Sequence, residues 1–234
     1  MPHNHSSGAR MLIRHDREKL INAMIFFVTN TKQCHKLKLF KLLYLLDFEH
    51  YRQSGRPVTN ESYRAWKMGP VPARLFHELK EPAPDMATAL GITVTRREPG
   101  TGEARYSYSL DNPPPEVDDE RVLANWSRSD FGRTVFHPRH PFESRYFTKR
   151  ELSIMKVIAE IFQEARGEDM SEFSHIKGSP WRKVFKKGEG SGHAIPYDLA
   201  LESDPIVSDA PTIDAEELAY RREALKEVTR PIGK

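Results

Sequence analysis

Lys36-Leu-Lys-Leu-Phe-Lys-Leu-Leu-Tyr-Leu-Leu-Asp-Phe-Glu-His-Tyr51 is the stretch whose reading decides the fold. Leu37, Phe40, Leu43, Tyr44, Phe48 and Tyr51 recur at helical spacing, and Leu39, Leu42, Leu45 and Leu46 fill much of the other side. A helix apolar nearly all round must be covered on most faces, so this is the central helix of a packed domain. Only Lys36, Lys38, Lys41 and Glu49 are expected to reach water. Ser54-Gly55, with Pro57 just beyond, ends it as helices end.

Upstream, residues 1–14 read as a loose leader. An amphipathic helix from His15 to Thr29 follows, its inner face made by Leu20, Ile21, Met24, Phe27 and Val28. The break at Thr29-Asn-Thr31 is short, which favours antiparallel packing on the central helix. Downstream, the aromatic alternation from Tyr63 to Met68 predicts a short strand. Gly69-Pro70 reads as a turn, and Pro72 suits the first turn of a helix through Leu75, Phe76 and Leu79. Two alternating segments, 92–97 and 104–110, flank Pro99-Gly-Thr-Gly102 and predict a β-hairpin. With the Tyr63 strand they are expected to form one small antiparallel sheet. The fold class is thus α+β and predominantly helical, a central buried helix with a small sheet.

Residues 116–144 are expected to hold a short helix around Val117–Asn125 and then an Arg- and Pro-rich loop. Thr148-Lys-Arg-Glu151 is a capping box, and Phe147 with Leu152 has the spacing of a hydrophobic staple. The helix that follows buries Leu152, Met155, Ile158, Ala159 and Phe162. Another is expected to start at Asp169 or Ser171. Gly188-Glu-Gly-Ser-Gly192 reads as a flexible turn. Residues 15–203 are taken as one domain, and 204–234 as a linker and a charged helix capped by Asp214.

Composition limits the chemistry. With 38% hydrophobic and 29% charged residues among 234, the chain is globular, and a formal charge of +3 is too small to imply nucleic acid. Its single cysteine, Cys34, forbids an intrachain disulfide or a thiolate metal cluster. No run of about 18 apolar residues predicts a membrane span, so a cytoplasmic protein is expected. The glycine-rich stretch lacks the Gly-Lys-Ser/Thr ending of a phosphate loop. Pro138 keeps His137 and His140 from pairing on a helix around a metal. Ser174 and His175 are neighbours that point apart on a helix and do not make a nucleophile and base; His175 and Trp181 are expected to lock the C-terminal helices together. Asp47, inside the apolar helix, must be paired, hydrogen-bonded or protonated. An ion pair with Lys41, Arg64 or Lys67 is expected before a catalytic role. No catalytic residue, cofactor or metal is assigned.

Lys41-Leu-Leu-Tyr-Leu-Leu-Asp47-Phe, Gly55-Arg-Pro57-Val-Thr59, Tyr63-Arg-Ala65 and Gly69-Pro70-Val71-Pro72, together with Ser174-His175, Trp181 and Ile195-Pro196-Tyr197, resemble the Panacea, or SocA-like, antitoxin domain. The resemblance spans roughly Lys19 to Leu201 and implies a mostly helical domain with a small sheet, acting in toxin–antitoxin or phage-defence loci; the residues themselves, with no convincing catalytic set, lead to the expectation of an interaction domain and not an enzyme. The resemblance implies a protein toxin as partner, neutralised by direct contact. It also admits an adaptor delivering the toxin to the Clp protease, and the further alternatives are a DNA-binding autorepressor and an enzyme of unknown chemistry. By the same resemblance Lys41, Tyr44, Asp47, Tyr63, Gly69, Pro70, Ser174, His175, Trp181 and Pro196 are motif positions, structural or partner-binding. The large apolar residues expected in loops, Phe136, Phe142 and Tyr146, are the candidate toxin contacts, since aromatics dominate interface energetics.

Overall fold

The structure, a computed structural model, describes residues 15–97, 105–108, 133–174, 178–208, 210 and 212–229. The expected leader, the tip of the hairpin, the helix around 117–125 and His175 lie outside these residues. Helix α1 (Asp16–Asn30) is followed by α2 (Lys36–Ser54), which packs against α1. Around α2 are also strand β2 (Gly69–Pro72), strand β5 (Arg133–Pro138), α5 (Lys149–Ile161), α6 (Gly167–Ser174) and the 3-10 segment Tyr197–Glu202. Leu39, Phe40, Leu42, Leu43 and Leu46 are fully buried, as a helix covered on most faces requires. Gly55 ends α2 in the left-handed conformation, φ +70°. A Cβ there would lie 2.6 Å from Leu218 Cδ1, so the glycine also admits the C-terminal helix α8 (Ala215–Thr229).

The expectation that three lysines and Glu49 would reach water fails for Lys38, Lys41 and Glu49. Lys38 and Lys41 are each 1% exposed. The Lys38 ammonium donates to the carbonyls of Lys32 (2.7 Å), Gln163 (3.3 Å) and Ala165 (2.7 Å). A helix leaves its last carbonyls unbonded, and Lys38 serves the chain just beyond the end of α5. Lys41 donates to the Gly167 carbonyl at 3.4 Å. Glu49 is buried against Arg52, Nη2 to Oε1 2.7 Å, and accepts the Ile206 amide at 3.0 Å. Lys36 alone stays partly exposed, its ammonium 4.9 Å from the centre of the Phe76 ring.

The strands form two sheets where one was expected. Strand β1 (Tyr63–Trp66) pairs with β2, Trp66 opposite Gly69, so the turn falls on Lys67-Met68 and Gly69-Pro70 begins a strand. Gly69 has φ +114°, a conformation that favours glycine. Pro70 and Pro72 lack N–H groups and are tolerated because β2 is an edge. The other edge of β1 takes the glycine-rich stretch expected to be a flexible turn. Gly192 donates to Ala65 O (2.9 Å), Ala65 to His193 O (2.9 Å) and Ile195 to Tyr63 O (2.8 Å). The second sheet has the order β4-β3-β5, with β3 (Leu90–Arg97) between β4 (Arg105–Tyr108) and β5. Strand β5 lies where a loop was expected. Thr134 and Phe136 are buried, Val135 is half-buried and His137 exposed, an alternation that Pro138 and Pro141 disguise in the sequence.

The capping box of α5 has both of its bonds, Glu151 N to Thr148 Oγ1 at 3.3 Å and Thr148 N to Glu151 Oε2 at 2.6 Å. Ile213 and Leu218, at staple spacing around the start of α8, are buried, and the Glu217 amide donates to Asp214 Oδ1 at 2.8 Å.

Leu43 is wholly buried on the central helix. Leu43→Asp places an unpaired charge there, at a cost of several kcal/mol against a total stability on the order of 5–15 kcal/mol. We expect no cooperative thermal transition by circular dichroism. A cooperative melt near the parent temperature would show that α2 does not organise the fold.

Candidate functional site

The motif residues converge on Asp47. Its carboxylate is 0% exposed and is held by neutral donors, in place of the ion pair expected from sequence. The amides of Val58 (2.8 Å) and Thr59 (2.7 Å) donate to Oδ1. The Thr59 hydroxyl and the Tyr63 hydroxyl (2.8 Å) donate to Oδ2. The Tyr197 hydroxyl stands 3.5 Å from Oδ2 and donates to the Glu61 carbonyl at 2.5 Å. Pro57-Val-Thr59 thus wraps the carboxylate with consecutive amides, β1 supplies one phenol, and the chain after Pro196 brings a second.

An aromatic shell seals these bonds from water. Tyr44 and Phe48 rings lie 4.2 Å apart, Phe48 and Tyr197 4.7 Å, and Tyr51 stacks on Tyr197 at 5.2 Å. Burial pushes the Asp47 carboxyl up to about 6, outweighing the donors that favour its charged form. Burial raises the Tyr63 and Tyr197 phenols well above their ordinary value, so they remain protonated donors. Beside them, the Glu61 side chain is fully buried; burial raises it, and the guanidinium of Arg74 opposes that shift.

The other motif positions are placed around this knot. Lys41 reaches the start of α6. Tyr44 is buried in the aromatic shell, and Gly69 and Pro70 lie in β2 against α2. Trp181, in α7 (Pro180–Phe185), donates its indole N–H to the Trp66 carbonyl at 3.0 Å and stacks on Phe185. It therefore joins α7 to β1. Ser174 closes α6, its side chain being outside the described residues, and Pro196 precedes the 3-10 segment carrying Tyr197.

The candidate toxin contacts fare differently. Phe136 is 5% exposed in β5, a core residue and not a loop anchor. Phe142 is half-buried between Phe26 (5.1 Å) and Phe147 (5.7 Å). Tyr146 is half-buried against His15, ring centres 5.5 Å apart. Loops rich in proline still fold their aromatics inward where a helix offers an apolar face. Sequence reasoning misses Thr59 and Tyr197 as partners of Asp47. The signal is present, since an acid in an apolar helix needs donors and both hydroxyls sit in the motif blocks.

The sequence profile of the family described as "Antitoxin SocA-like, Panacea domain" matches residues 39–182, more than half of the chain. The chain belongs to this antitoxin-like family. No curated protein and no solved structure matches it. The matched range contains Asp47, Thr59 and Tyr63 of the Panacea domain, whereas α1, Tyr197 and α8 flank it. Among the described residues no helix is long and apolar enough to cross a membrane.

The Asp47 arrangement has a pH signature. The folded carboxyl binds its proton up to about 6, the unfolded one to its ordinary 3.8, so folding retains a proton between these values. Stability therefore falls as pH rises through roughly 4 to 6, by about 3 kcal/mol, and is flat in this respect above. Asp47→Asn keeps the shape and should remove that slope in urea unfolding measured at pH 4.5 and 7.5. Asp47→Leu strands two amides and two hydroxyls and should cost about 3 kcal/mol or more. Equal slopes in parent and Asp47→Asn would count against the buried, titrating carboxyl.

Proposed function

We propose that this protein is the antitoxin of a toxin–antitoxin pair and silences a protein toxin by stoichiometric, non-covalent binding. The family match carries this reading. The chemistry at Asp47 supports the non-enzymatic part. This acid, buried in the central helix, is sealed beneath aromatic rings, and four donors from its own chain occupy it. A general acid must be within reach of a substrate proton. Asp47, 0% exposed, acts instead as a fastener between α2 and the chain from Val58 to Tyr63. The toxin's surface is then met by side chains outside this knot.

The test expresses each reading frame adjacent to this protein's own gene, takes the product that arrests growth, and titrates it, purified, with the protein in the absence of any protease. Masking predicts that toxin activity falls linearly and vanishes near equimolarity, with the toxin recovered intact and unmodified. Silencing at a small molar fraction would indicate an enzyme. Silencing only when Clp protease is added would indicate an adaptor.

A further inference from the structure

A groove of about 540 Å³ opens on the surface between α1, helix α4 (Pro84–Ala89) and the segment 140–146. Its floor is apolar, made by the buried Ile21, Ile25 and Ala89. Its rim is acidic, with Glu18 on α1, Asp85 on α4 and Glu143 opposite. Arg17 forks between two carboxylates, Nη1 to Glu78 at 2.8 Å and Nε to Asp85 at 2.7 Å, so one guanidinium meets two negative charges. Arg145 pairs with Glu143. Glu18, 45% exposed, has the His15 imidazole at 3.7 Å, a partner charged only when protonated. Among the described lining residues and their ion-pair partners, the carboxylates of Glu18, Glu78, Asp85 and Glu143 stand around the guanidiniums of Arg17 and Arg145 and the imidazoles of His15 and His140, an excess of two negative charges when the imidazoles are neutral. Arg139 lies outside the lining and donates to the Ala87 carbonyl at 3.1 Å. The chain as a whole is positive, +3, so this groove runs against the overall sign.

We infer that this groove seats a segment of the partner protein in which an apolar residue adjoins a lysine or arginine. The inference rests on the antitoxin reading and names the surface it would use. An apolar floor beneath an acidic rim matches a side chain with an aliphatic stem and a cationic head, the stem on Ile21 and Ile25 and the head toward Glu18. The excess negative charge speeds encounter with such a segment and disfavours a nucleic acid. The volume lies in the range of roughly 300–1,000 Å³ typical of ligand clefts, room for a short segment of a few side chains. Tyr146, which also lines the groove, supplies an aromatic wall, so one of the three aromatics expected from sequence to contact the toxin keeps a place at the partner surface.

The experiment measures binding of the adjacent-frame toxin to full-length protein by calorimetry, alongside the neutralisation titration. Glu18→Lys combined with Glu143→Lys inverts the rim, and Pro141→Trp, at an exposed lining position, fills the groove without touching its charge. Glu160→Lys, exposed on α5, is the control for charge alone. We expect the double reversal and the tryptophan variant each to raise Kd about tenfold or more, with melting temperatures near the parent's. The parent's Kd should rise with salt and that of the double reversal should not. If both groove variants bind and neutralise like the parent, the groove is not the docking site while the antitoxin reading stands. If the parent itself neutralises no toxin, both are overturned. A low-melting variant is replaced by Thr88→Trp, at another exposed lining position, which is judged by the same two readouts.

Discussion

A charged side chain on a helix covered from every side has to end on a partner, because leaving it alone costs a large part of the domain's whole stability. Helix α2 carries five such groups, Lys38, Lys41, Asp47, Glu49 and Arg52, all buried. They end on three stretches of chain, the two lysines on the connection from the end of α5 to the start of α6, Asp47 on the segment after α2, and Glu49 and Arg52 on the chain before α8. Lys38 takes carbonyls beyond α5, Lys41 takes Gly167, Asp47 the amides of Val58 and Thr59, and Glu49 the amide of Ile206. Arg52 reaches Ala210 O at 3.3 Å and the Thr212 hydroxyl at 2.6 Å. The leucines of α2 supply non-directional burial; its charges decide which loop lies where.

That division explains why the core is legible in the sequence and much of the polar wiring is not. Periodicity identifies a helix and its burial, because those depend on residues three and four apart. It does not identify what a lysine touches, because Ala165 and Gly167 are more than a hundred positions from Lys38 and Lys41. The usual rule that lysines face water then misplaces both. Asp47 is legible as a problem, since an acid among leucines demands a solution. The solution is illegible, because neutral donors from Thr59 and Tyr63 compete with nearby cations on terms that only the folded geometry fixes. Proline misleads in the same way at both sheets. Gly69-Pro70 reads locally as a turn and Pro138 falls in an expected loop, yet an edge strand has room for residues without an N–H; Pro72, read as the start of a helix, does cap the helix that begins at Ala73.

The capping box at Thr148 and the glycine at position 55 are legible for the opposite reason. Both are local devices, completed within a few residues, and tertiary packing only has to accept them. Gly55 then acquires a second role no local reading contains, which is to let Leu218 approach within a Cβ's width of the end of α2.

The placement of the aromatics bears on how such a protein meets a partner. Phe136 and Phe142 fold inward onto β3 and α1, so neither of them stands ready in a loop as a hydrophobic anchor. Among the described residues the large apolar side chains left exposed are Ile161, at the end of α5, and Tyr220, on α8. A partner segment seated as proposed above would meet a groove whose apolar floor is already part of the core and whose charged rim is set by ion pairs with unequal numbers of partners. Arg17 between Glu78 and Asp85 is such a pair: it fixes α1 to α3 (Ala73–Glu78) and α4, and by being one cation among two acids it leaves the joint negative. The same contact that ties the first helix to the domain thereby gives the surface above it a sign, and a partner of opposite sign can read it without any change in the fold.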